Sequence, residues 1–149
     1  MANLISRKNL DTSRKKVLIL EDDRWFAEVL VEILGYEYEV KIVPNPEKVF
    51  AILDKWWPDI MVADVILGAK NLFVLLNEMQ SYIDTRKIEV VILSSVSQQI
   101  ALSNVTKFNV KKVLDKANIT PENLRATLRE IVQNSRKNPA ETRNSVGAK

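Results

Sequence analysis

The stretch Pro58–Gly68, PDIMVADVILG, limits what this chain can fold into more than any other part of it. It is apolar at both alternating sets of positions and carries a single acid, Asp64, inside the run. A strand that is apolar on both faces belongs in the middle of a parallel sheet covered on both sides. Asp64 then stands where that strand leaves the sheet, and in open α/β sheets ligands bind just outside the carboxyl ends of the strands. A carboxylate closing a doubly buried strand is costly unless it is paired or has a task. Asp59, at the opposite end of the run, is an ordinary solvated acid.

The rest of the chain supplies partners for such a strand. After Lys16 comes the apolar VLIL, closed by three successive acids, Glu21, Asp22 and Asp23. From Arg24 to Leu34, Trp25, Phe26, Val29, Leu30, Ile33 and Leu34 recur at spacings of three and four, which predicts a helix with one buried stripe, and Gly35 is placed to stop it. A strand is expected over Tyr38–Val43. Asn45 as N-cap and Pro46 in the first turn open a second helix, which Pro58 ends. Beyond Gly68 the pattern predicts a helix over Leu72–Ile83 and a buried strand over Ile88–Leu93 that ends in Ser94 and Ser95. A weaker helix over Gln98–Phe108 follows, then a short strand over Val110–Leu114 ending in Asp115 and Lys116. Thr120 and Pro121 then begin a helix running to about Ser135. Five strands alternating with five helices imply a parallel sheet with helices on both faces. The ends of the first, third, fourth and fifth strands then bring Glu21, Asp22, Asp64, Ser94 and Lys116 to one edge.

Composition removes many chemistries. The 149 residues include no histidine and no cysteine, which excludes Ser-His-Asp and Cys-His arrangements, histidine- or cysteine-ligated zinc, and disulfides. No apolar run reaches the roughly 20 residues of a membrane helix, and the N-terminus lacks the apolar centre of a secretory signal, so a cytoplasmic protein is expected. The net charge of +3 sits in the ends: residues 1–16 hold five Lys/Arg and one Asp, and residues 136–149 hold four Lys/Arg and one Glu, leaving an acidic middle. These ends, 1–15 and 136–149, are expected to be disordered, solvated tails around one domain over 16–135. Nucleic acid is not the expected partner.

Converging carboxylates repel one another and call for a cation, and a small hard ion with oxygen ligands, Mg2+ before Ca2+, suits them. A lysine at the same edge can pair with a phosphate oxygen and a serine hydroxyl can hydrogen-bond another. Asp64 would be the nucleophile that attacks phosphorus. Asp23 is the spare acid, suited to capping the first helix. Trp56 and Trp57 are expected to be one core and one partly exposed side chain with no cofactor role.

In these motifs the chain resembles the CheY-like receiver domain of two-component response regulators, over nearly all of Lys16–Ser135. The family's acidic pair after its first strand matches Glu21 and Asp22 in ILEDD, its phosphoacceptor matches Asp64, its Ser/Thr after the fourth strand matches Ser94 in VVILSS, and its lysine after the fifth matches Lys116 in KKVLDK. The resemblance implies a flavodoxin-like (βα)5 doubly wound sandwich. It also implies an aspartyl phosphate formed on Asp64 from a histidine kinase or phosphotransfer protein, and Mg2+, or Mn2+ in its place, held by Glu21, Asp22, Asp64 and the Ile66 backbone carbonyl. Such a protein is a phosphoacceptor that assists its own phosphorylation and dephosphorylation rather than an enzyme.

Output would pass by protein contact through the fourth helix, fifth strand and fifth helix, with room for a homodimer. A stand-alone regulator is expected, because the residues after the last helix are too few for a DNA-binding domain. The departures are Gly68 for the usual proline, Leu72 for glycine, Ala117 for the proline after the lysine, which usually follows a cis bond, and Val113 for the aromatic that switches rotamer. Ile66 and Val96, two residues beyond Asp64 and Ser94, are apolar and cannot orient a water, so slow self-hydrolysis is expected. Val113, Leu72 and Ala117 also support an alternative, a phosphorylation-independent adaptor on the same fold. An aspartate-nucleophile phosphatase is disfavoured, since the second aspartate it needs is Ile66 here.

Overall fold

The computed structural model describes residues 14–137. Five parallel strands form one sheet: β1 (Lys16–Leu20), β2 (Glu39–Val43), β3 (Ile60–Ala63), β6 (Glu89–Ser94) and β7 (Val110–Asp115), in the spatial order β2-β1-β3-β6-β7. Two short strands, β4 (Ile66–Leu67) and β5 (Lys70–Asn71), pair antiparallel in a hairpin outside that sheet. The five helices are α1 (Arg24–Leu34), α2 (Val49–Leu53, led by the 3-10 turn Pro46–Lys48), α3 (Leu72–Gln80), α4 (Leu102–Val105) and α5 (Pro121–Lys137). The doubly wound architecture expected from the sequence is the one observed, and β3 lies at its centre with all four residues buried.

Alternation along the strands divides the core in two. Leu18, Leu20, Met61, Ala63, Val90 and Ile92 face α2, α3 and the α4 region, together with Leu72, Leu76, Val105 and Phe108. Val17, Ile19, Ile60, Val62, Val91 and Leu93 face α1 and α5 through Ala27, Leu30, Leu34, Leu124 and Leu128. Strands apolar on both faces are what such a sandwich requires.

Several boundaries differ from expectation for visible reasons. The run Pro58–Gly68 is not one strand. β3 stops at Ala63, the Asp64 carboxylate accepts the Val65 N–H at 2.7 Å, and the Val65 carbonyl accepts Leu72 N–H at 3.0 Å, so the chain turns out of the sheet. Gly68 then adopts φ +64° at the tip of the β4–β5 hairpin, a conformation closed to the proline usual there. α3 ends at Gln80 rather than Ile83, and Thr85 ties the following turn down by donating its hydroxyl to the Met79 carbonyl at 2.5 Å.

The weak helix expected over Gln98–Phe108 is broken into α4 and two flanking 3-10 turns, Ser97–Gln99 and Thr106–Phe108, in which only Val105 and Phe108 are buried. In α1 the stripe turns Ala27, Leu30 and Leu34 inward and leaves Trp25 72% exposed. Trp56 is half-buried and donates its indole N–H to Glu39 at 2.9 Å, while Trp57 is exposed. At the ends, Lys15 already pairs with β2 through its carbonyl, Arg14 donates to the Gly35 carbonyl, and α5 extends to Lys137. The remainder of the expected tails, 1–13 and 138–149, lies outside the described residues. Among the described residues no helix is long and apolar enough to cross a membrane.

Candidate functional site

Sheet pairing places the acids. Glu21 follows β1 and its N–H still bonds to the Val43 carbonyl at 3.2 Å, which carries the residue one step past the strand with its side chain 3% exposed. Asp64 is fixed in the same way from β3, with its N–H on the Leu20 carbonyl at 3.0 Å, and it too is buried. Asp22 is exposed, and Asp23, as expected, caps α1 by accepting Phe26 N–H at 3.2 Å. Carboxylate oxygens of Glu21, Asp22 and Asp64 lie within 4.8 Å of one another.

Lys116 arrives from β7. Its backbone N–H bonds to the Ser94 carbonyl at 3.1 Å, so the ends of β6 and β7 travel together. Its ammonium donates to Glu21 Oε2 at 2.6 Å and to Asp64 Oδ2 at 3.1 Å, and stands 4.4 Å from the centroid of the Phe26 ring. Glu21 Oε1 accepts Asp23 N–H at 3.0 Å. Ser94 is fully buried at the end of β6, and its hydroxyl oxygen accepts Val96 N–H at 3.3 Å, which leaves its own O–H free to donate. Ile66 lies on the hairpin with its side chain 52% exposed. A Cβ on Gly68, at the hairpin tip, would sit 4.0 Å from Asp22 Oδ2, so the hairpin flanks the acids.

Burial and charge act against each other here. Burial pushes the Glu21 carboxyl above the usual glutamate range, while the hydrogen bonds from Lys116 and Asp23 N–H pull the other way. Burial also disfavours the Lys116 ammonium, but the hydrogen bonds to Glu21 and Asp64 together outweigh it and hold the lysine above its usual value. The ammonium is the counter-charge for two buried carboxylates. Three carboxylates whose oxygens come this close together fit a small hard divalent cation.

The departures have local explanations. All described peptide bonds are trans, so the Lys116–Ala117 bond is too, and Ala117 uses the N–H that a proline would lack to bond Asp115 Oδ1 at 2.9 Å. Asp115 Oδ2 accepts Asn118 Nδ2–H at 2.6 Å, so a polar turn does the work of the missing ring. Leu72 is fully buried in the first turn of α3, where complete burial of such a side chain is worth about 2–3 kcal/mol, and Asn71 caps that helix by accepting Phe73 N–H at 2.7 Å. Val113 is half-buried against the α3–α4 side of the core. Nothing in the helical pattern points to Phe26 beside Lys116. On the helical pattern it was one more residue of the buried stripe, and its only signal was its place one turn after the acids.

The response regulator receiver domain family matches residues 17–129. A search of curated proteins gave no match. Among solved structures, the chain is similar to a sensor protein from Polaromonas sp. JS666, with 22% identity and a TM-score of 0.74 over 81% of this chain and 98% of that one. It is also similar to a CheY-like response regulator receiver domain from Methanospirillum hungatei JF-1, with 20% identity and a TM-score of 0.69 over 84% of this chain and 98% of that one. The signal receiver domain of a histidine kinase from Syntrophus aciditrophicus has 21% identity and a TM-score of 0.67, over 80% of this chain and 91% of that one. These likenesses bear on the fold, and with the family match over most of the chain they lead to one conclusion: the protein belongs to the response regulator receiver domain family.

Proposed function

We propose that this receiver domain accepts a phosphoryl group on Asp64 from the phosphohistidine of a histidine kinase or phosphotransfer protein in the cytoplasm, with Mg2+ or Mn2+ as cofactor, and signals by protein contact. The observation that carries the reading is the placement of Lys116, whose ammonium bridges the buried Glu21 and Asp64 beside the three-acid cluster. Asp64 Oδ1 is engaged by Val65 N–H, which leaves Oδ2, beside Lys116, as the attacking oxygen. It forms a bond to phosphorus while the bond from phosphorus to the donor nitrogen breaks, and the electron pair leaves with the imidazole.

Lys116 then exchanges Asp64 for a phosphoryl oxygen, and the free O–H of Ser94 donates to another. A divalent cation held by Glu21, Asp22, Asp64 and the Ile66 carbonyl would offset the charge of the incoming phosphate. The absence of histidine from the chain fits a donor that comes from another protein. Output through the α4–β7–α5 face is supported by the bond between Lys116 N–H and Ser94 O, which ties both phosphoryl-contacting residues to the ends of the intervening segment.

The test is intact mass after incubation with Mg2+ and acetyl phosphate, for the wild type and Asp64→Ala. A phosphate-sized gain in the wild type alone is expected. After removal of the donor the gain should persist beyond seconds, because neither Ile66 nor Val96 can orient a water. No gain in either protein refutes the proposal and favours the adaptor reading, whose specific support is the half-buried Val113 and the fragmented α4.

A further inference from the structure

We propose that Phe26 is a positioning residue for phosphoryl transfer, its ring holding the Lys116 ammonium beside Asp64 through a cation–π contact. The inference rests on Asp64 being the phosphoacceptor. The 4.4 Å between Nζ and the ring centroid is well inside the roughly 6 Å over which such attraction acts. The Lys116 side chain is 19% exposed, so little water competes with the ring for the charge.

The position of the ring follows from the turn that carries the acids. Asp23 caps α1 by accepting the N–H of Phe26, which fixes this residue one turn beyond Asp22. The ring is half-buried and packs against the α1–α5 side of the core. Its face meets the ammonium.

The three contacts of that ammonium do not respond alike to the reaction. The bonds to Glu21 and Asp64 depend on carboxylate charge. A divalent cation among the acids draws on the same oxygens, and phosphorylation converts the Asp64 carboxylate into an acyl phosphate. Both events loosen the hold of the carboxylates. The quadrupole of the ring changes in neither, so Phe26 keeps the flexible lysine stem from swinging into solvent at the moment its charge is needed at the phosphoryl oxygens. Leucine at this position keeps apolar packing and loses the π face, whereas tyrosine keeps both.

Two readouts test the inference on the full chain. The first is the rate of Asp64 phosphorylation by acetyl phosphate with Mg2+, followed by intact mass. The second is NMR of the Lys116 ε-methylene and ammonium groups in the metal-free protein, where a ring face so close shifts their resonances upfield. Phe26→Leu is expected to slow phosphorylation by about 5- to 30-fold and to move the Lys116 resonances downfield, with Phe26→Tyr near the wild type in both. Phe26→Met serves as a second ring-free variant should the leucine variant fold poorly. Equal losses in Leu and Tyr variants, or Lys116 resonances that stay in place without the ring, overturn the inference. A wild type that gains no phosphate ends the phosphoacceptor reading and the positioning role with it, while the resonances still decide whether the ring holds the ammonium.

Discussion

Replacing Lys116 by methionine removes the counter-charge of two buried carboxylates while keeping most of the side-chain volume. Breaking a buried ion pair by deleting one partner costs roughly 3–5 kcal/mol, because the other charge is left uncompensated. Two features moderate that figure here. The Lys116 side chain keeps about a fifth of its surface in water, and burial already pushes Glu21 toward its protonated form, so proton uptake limits the penalty. A loss of about 3 kcal/mol near neutral pH is expected, or about 10 °C in Tm for a domain of this size.

The pH dependence has a definite sign. A carboxyl whose folded-state pKa is raised contributes stability below its unfolded value of 4.5 and loses it as pH rises through the folded value. Without Lys116 its hydrogen bond and its charge no longer lower the Glu21 pKa and only the Asp23 N–H still opposes burial, so this loss becomes larger in the variant. The deficit relative to the wild type should therefore be small near pH 4.5 and grow toward neutrality. Mg2+ should stabilise the variant more than the wild type, since the ammonium no longer competes for the carboxylates. Urea unfolding of both proteins at acid and neutral pH, with and without Mg2+, measures all of this. A variant as stable as the wild type at neutral pH, or a deficit that grows on acidification, refutes the reasoning.

Two further predictions concern the frame around the site. Glu37 accepts hydrogen bonds from Arg129 across the α1–α5 side, which hold its carboxyl below the usual range. Its contribution is present above the unfolded value of 4.5 and lost as pH falls through the lower folded value, so the difference in urea midpoint between the wild type and Glu37→Gln should appear near neutral pH and vanish in acid. At the hairpin tip, Gly68→Ala forces a side chain into φ +64° and should cost about 1–2 kcal/mol in urea unfolding, with Gly68→Asn costing less because asparagine tolerates that region.

The central sheet was legible because its cause is local. Residues 60–63 and 90–93 are apolar at consecutive positions, and a chain can bury both faces of a strand only between two helical layers. α1 was legible to the residue because Asp23 stands before a periodic run and Gly35 after it. The segment from Ala63 to Leu72 was not, because apolar content does not distinguish a strand from a hairpin whose residues are buried by other elements. Leu67 is buried in the hairpin as completely as a strand residue would be. The same holds for Gln98–Phe108, where two buried residues and many polar ones leave helix and 3-10 turn nearly balanced.

The site was legible one residue at a time but not as a set of contacts. Topology alone placed Glu21, Asp64, Ser94 and Lys116 at one edge, because parallel strands end together. That the ammonium sits on both acids and over Phe26 depends on the direction in which the chain leaves β7, and that direction is set by Asp115, whose carboxylate holds Ala117 and Asn118. The residues that depart from the family pattern work in pairs. Gly68 makes a turn that proline cannot, and the hairpin it closes lets Asn71 cap α3 and Leu72 fill the core where glycine is usual. Ala117 gives up a proline and supplies an N–H that Asp115 uses. Val113 alone has no such compensation among the described residues. The frame around Asp64 is therefore kept by substitutions that support one another, and the position without a partner is the one where the family carries its moving aromatic.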